Sequence, residues 1–122
     1  MVKCACGSEC NVQIYSCSGA ADVGQIADVA TREINKKELA AMGCLAGIGG
    51  NVSGIVKSAE GADKIVVVDG CPLKCAKKNF DEKSIDVSEH FVVTEFGLKK
   101  GCSPANNENI QKIVKEIENK LK

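Results

Sequence analysis

At 122 residues the chain is long enough for one domain to bury a core without covalent staples. Sixteen Lys and Arg cancel sixteen Asp and Glu, and with one Tyr, three Phe and no Trp the composition lacks the charge and stacking surface that nucleic acid or an anionic membrane would need. Eight cysteines remain as the conspicuous feature. No apolar run approaches the roughly eighteen residues of a membrane span, and the stretch from Met1 to Gly7 lacks the apolar core of a signal peptide. The sequence therefore predicts a cytoplasmic protein whose thiols serve metal or redox chemistry, not a disulfide framework.

In chain order, residues 1–11 form a cysteine-bearing N-terminal segment with Cys4, Cys6 and Cys10, too rich in Gly and polar residues for a regular element. Residues 12–122 read as a single α/β domain. Val12 to Cys17 alternates apolar with polar residues and suits a first strand. Val23, Ile26, Ala27, Ala30 and Ile34 fall at helical spacing, so an amphipathic helix is expected up to Lys36–Lys37. Leu39 to Leu45 is expected as a short strand, and Ala46 to Asn51 as a turn. Val52, Ile55, Val56 and Ala59 give a second helix ended by Gly61.

The β-branched run Ile65–Val68 is the clearest strand, stopping at Asp69–Gly70. Pro72 suits a helix first turn, so a helix is expected from Cys71 or Pro72, with Cys71 and Cys75 on one face. A strand with a polar interruption is expected over Ile85–Phe96, and a last helix opening at Ser103–Pro104. Alternating strands and helices predict a small three-layer α/β domain, Rossmann-like or flavodoxin-like, with a mostly parallel sheet of about four strands.

Cys17, Cys44 and Cys71 are spaced 27 residues apart, about one strand-plus-helix unit, so each falls at a strand's carboxyl end. Open α/β sheets bind ligands at that edge. With strands about 4.8 Å apart, these thiols and Cys75 are expected to converge as four sulfur ligands, a set suited to zinc or to an iron–sulfur cluster. The sequence offers no catalytic constellation. A thiol oxidoreductase using Cys71 with Cys75 or Cys17 is the alternative, weakened because Cys-x-x-x-Cys is not the Cys-x-x-Cys redox motif. Cys4 and Cys6, with Cys10, have metal-compatible spacing of their own. His90 lies away from every cysteine motif and reads as a surface or satisfied polar residue, and Asp69 as a turn former.

Asp69-Gly70-Cys71-Pro72-Leu73-Lys74-Cys75-Ala76 resembles the signature of the DGC domain family, small cysteine-rich proteins described as zinc-binding. Tyr15–Ala21, Cys44–Gly50 and Phe96–Lys100 extend the resemblance over nearly the whole chain. It implies a metal site at Cys17, Cys44, Cys71 and Cys75, with a metal ion as partner, and it implies no reaction. Metal handling or sensing is the expected role.

Overall fold

A computed structural model describes residues 10–122. Its centre is a four-stranded sheet in the order β2-β1-β3-β4, every pairing parallel. The strands are β1 (Val12–Ser16), β2 (Ala41–Met42), β3 (Lys64–Asp69) and β4 (Glu89–Val92). The helices are α1 (Asp22–Lys36), α2 (Leu45–Gly49), α3 (Ser53–Glu60), α4 (Cys75–Glu82) and α5 (Asn107–Leu121). The expected class of fold is therefore the one observed.

The layers follow from strand parity. On one face Ile14, Val66 and Val68 pack with Val23, Ile26, Ile34, Ile113 and Ile117 of α1 and α5. On the other, Tyr15, Ile65 and Val67 pack with Ile48, Ala59, Ala76 and Phe80 of α2, α3 and α4. Because both faces are covered, β3 runs buried from Ile65 to Asp69 without alternation. Chain order runs outward from β1 to β2 and then back past it to β3. The strand order thus reverses between β1 and β3, placing a ligand-binding switch point at their carboxyl ends.

Five segments differ from the sequence reading. The expected strand over Leu39–Leu45 contracts to Ala41–Met42, and the expected turn at Ala46–Asn51 is largely the short helix α2. Only Glu89–Val92 of Ile85–Phe96 pairs in the sheet. Ile85 instead folds back, its N–H donating to the Phe80 carbonyl at 3.0 Å, and Val93–Phe96 turns into a 3-10 helix. The last helix begins at Asn107, where the Asn106 side chain accepts from the Asn109 N–H, the usual work of an N-cap asparagine.

The fifth difference bears on function. α4 begins at Cys75, not at Cys71 or Pro72. Cys71 to Lys74 is a turn closed by the Lys74 N–H on the Cys71 carbonyl at 3.1 Å, with Lys74 in the left-handed region at φ 53°. Cys71 and Cys75 therefore do not share a helical face.

Candidate functional site

The Cys71–Cys75 turn is held from below by Asp69, the last residue of β3 and 1% exposed. Its Oδ1 accepts from the Ala76 N–H at 2.7 Å, and its Oδ2 from the Lys77 N–H at 3.1 Å. Both amides belong to the unpaired first turn of α4, which Lys74 leaves without a side-chain cap. His90 of β4 completes the carboxylate's shell, with Nε2 2.8 Å from Oδ2. Asp69 is thus a capping residue acting across seven positions of sequence, and His90 is a satisfied polar side chain beside it.

Gly70 fixes the other side of the turn. A Cβ there would lie 2.8 Å from both the Gly24 nitrogen and the Val23 carbonyl carbon, so the β3–α4 loop runs directly against the backbone of α1. Close approach, not a positive φ, is what demands glycine in Asp69-Gly70-Cys71.

Where the β1–α1 and β3–α4 loops meet, a cavity of about 350 Å³ opens. Cys17, Cys71 and Cys75 line it together with Ala21, Leu73 and Lys100. Cys17 continues the β1 ladder, its N–H donating to the Val68 carbonyl at 2.8 Å. The Lys100 Nζ, the one cation on the lining among the described residues, stands 3.8 Å from the Cys71 Sγ. It is delivered there by Asp22, whose Oδ1 accepts from the Gly101 N–H at 2.9 Å and whose Oδ2 accepts from the Ser103 N–H at 3.2 Å. The Gly101 bond foremost, aided by those from Val23 and Ser103, holds the Asp22 carboxyl below its ordinary value.

The structure brings together three of the four cysteines expected at one site. Cys44 follows the edge strand β2 and lines a different cleft, of mixed polar and apolar character and about 730 Å³. There it stands near Tyr15, whose phenol is pushed above its ordinary range first by burial and then by the Cys44 charge. Cys102 is exposed on the loop after Gly101. Cys10 is buried and disulfide-bonded, and Cys4 and Cys6 lie outside the described residues.

The donor chemistry of the cavity fits a thiophilic metal. Its three sulfurs are soft ligands suited to zinc, copper(I) or iron–sulfur clusters, and among the described residues no carboxylate or imidazole opens on the same lining. As the side chains stand, no three Cys, His, Asp or Glu groups among the described residues are near enough to one another to hold an ion. Binding therefore requires the thiols to turn inward. Asp69, the nearest acid to the turn, is already engaged with amides and His90 and is not a free ligand.

Sequence reasoning missed Asp22 as a positioning residue, and it ranked the orienting of a loop N–H by Asp69 below a plain turn-forming role. Both bond backbone amides remote in sequence or beyond a turn, and no short capping pattern marks them.

The DGC domain model matches residues 13–117, which reach across all four strands and the thiol-bearing loops after β1, β2 and β3. The chain belongs to the DGC domain family. It is similar to the anaerobic and virulence modulator AnvM of Pseudomonas aeruginosa, 37% identical over 87 residues that cover 71% of this chain and 66% of that protein. The chain thus aligns to slightly under two thirds of that relative's length. No solved structure matches. Among the described residues no helix is long and apolar enough to cross a membrane.

Proposed function

We propose that this chain binds one thiophilic metal ion, zinc foremost, through Cys17, Cys71 and Cys75, and serves in metal handling or sensing inside the cell. One observation carries the reading: three free thiols from two loops open on a single cavity at the sheet's switch point. When bound, zinc supplies a structural or Lewis-acid centre. Cys17 and Cys71 hold it from the ends of adjacent strands, Cys75 from the first turn of α4, and Lys100 offsets the negative charge of three thiolates. A three-sulfur set leaves a coordination position for an exchangeable ligand, which suits transfer or sensing better than a closed structural staple. The name of AnvM as a modulator accords with a regulatory use over a catalytic one.

The test is elemental analysis with a visible spectrum on protein purified without oxygen or chelator. About one zinc per chain and no colour are expected. Cys17→Ser, Cys71→Ser and Cys75→Ser each lower the zinc content at least severalfold, and Cys44→Ser and Cys102→Ser leave it unchanged. Iron with sulfide and a brown colour would replace zinc by a cluster. Metal-free protein, or full zinc in all three variants, would overturn the reading.

A further inference from the structure

The larger cleft on the other side of β1 has its own chemistry. Its volume of about 730 Å³ lies within the roughly 300–1,000 Å³ of small-molecule sites. It sits outside the carboxyl ends of β1 and β2, the edge at which parallel α/β sheets take ligands. Ser18, Asp28, Arg32, Gly49 and Asn79 line it together with Cys44, an exposed residue whose thiol is free.

Three polar groups of the lining are ordered by one another. Asp28 Oδ1 accepts from the Ser18 hydroxyl at 2.9 Å, and Oδ2 accepts from Arg32 Nε at 3.1 Å. Both carboxylate oxygens are thereby spent within this group. Arg32 meets Asp28 through Nε, which leaves the terminal fork of the guanidinium, a planar donor pair that matches a carboxylate. Elsewhere on the lining a Cβ at Gly49 would lie 2.5 Å from the Asn79 Oδ1, so glycine keeps that amide oxygen clear of a side chain.

From this geometry we infer that the cleft binds a small carboxylate-bearing disulfide and that Cys44 exchanges with it. Arg32 takes the carboxylate, and Asn79 accepts from a ligand N–H. The Cys44 thiolate attacks one sulfur of the ligand. A bond forms between Cys44 and that sulfur, the ligand's own S–S bond breaks, and the other half leaves as a thiolate that takes up the proton Cys44 released. Cys44 is oxidised, the departing half is reduced, and the disulfide itself is the oxidant. The inference does not depend on metal binding, since Cys44 lies outside the three-thiol cavity.

The test uses the full chain, treated with oxidised glutathione, which carries carboxylates, or with cystamine, which carries only amines. Adducts are quantified at each cysteine by peptide mass mapping. In the wild type Cys44 favours the glutathione adduct. Arg32→Gln lowers the glutathione-to-cystamine ratio at Cys44 about three- to fivefold, the scale of one exposed charge contact, and leaves the ratio at Cys102 unchanged. Arg32→Lys, which keeps the charge without the fork, restores only part of the preference. The Arg32 side chain is 67% exposed, so these variants retain the fold, which a urea unfolding curve checks. An unmodified Cys44, a preference for cystamine there, or a ratio that Arg32→Gln fails to move would overturn the inference.

Discussion

Two depressions flank the end of β1, one almost wholly apolar and the other mixed. Cys17, between Ser16 and Ser18, opens on a cavity walled mostly by alanine, glycine, leucine and thiols. Ser16 and Ser18 open on a cleft that sets hydroxyls, amides and the Asp28–Arg32 pair beside Met42, Leu45 and Ala46. A strand end that alternates its side chains can feed two neighbouring sites at once. Equal spacing along a chain therefore does not make thiols equivalent: the position after a strand sets the edge, and the strand's rank in the sheet sets the company. The inner strands β1 and β3 bring their thiols together, and the edge strand β2 carries Cys44 away.

The sharpest way to break this contrast is to release the turn between β3 and α4. Asp69→Ala strips two amides and His90 of their acceptor. A loss of about 3–5 kcal/mol is expected, as for breaking a buried hydrogen-bonded charge, read by urea unfolding. Zinc content should fall with it, while adduct formation at Cys44 in the still-folded fraction should persist. Gly70→Ala comes next. Its Cβ must push against α1 backbone that cannot swing aside, for about 1–3 kcal/mol of overpacking. Unchanged stability in that variant would mean that the loop and α1 are not in contact.

Acid gives a smaller, directional effect. Asp22 has its carboxyl depressed, so its contribution to stability is present above its unfolded value of 3.8 and lost as pH falls through the lower folded value. Asp22→Asn should flatten that part of the pH–stability curve and slow nothing at Cys44. At the other end of the scale Tyr15, whose folded value is raised above 10.0, contributes fully below that pH, and its share fades as pH climbs past 10. Lys100→Gln is expected to be smallest, weakening zinc affinity a fewfold by competition titration without changing the stoichiometry, as befits an exposed cation beside a thiolate.

Much of the fold was legible because pattern and context agree. β1, α1, α3 with its end at Gly61, and β3 all carry unbroken periodicity, and the structure reproduces them within a residue or two of their expected limits. β2 was less so. Only Ala41 and Met42 pair with β1, at a sheet edge where two residues suffice and leave almost no pattern. The start of α4 misled for a different reason. Pro72 satisfies the local rule for a helix start, yet the carboxylate that caps the helix comes from Asp69 in the preceding strand and selects Ala76 and Lys77. Of the candidate site, the placing of Cys17 and Cys71 at one sheet edge was legible from spacing and topology, within an expected set of four thiols that also held Cys44 and Cys75. The separation of Cys44 was not, since a spacing along the chain contains no information about which wall a loop will face.

Tyr15 adds a practical consequence. It is the chain's single tyrosine, there is no tryptophan, and its ring lies edge-on to Phe80 with the centroids 4.9 Å apart. Its neighbour Gly43 leaves no room for a side chain between the ring and the turn that carries Cys44, because a Cβ there would lie 2.3 Å from the ring. The tyrosine emission of the unlabelled protein therefore comes from one buried fluorophore near Cys44, and a change in that light is the expected dye-free readout of modification at this thiol.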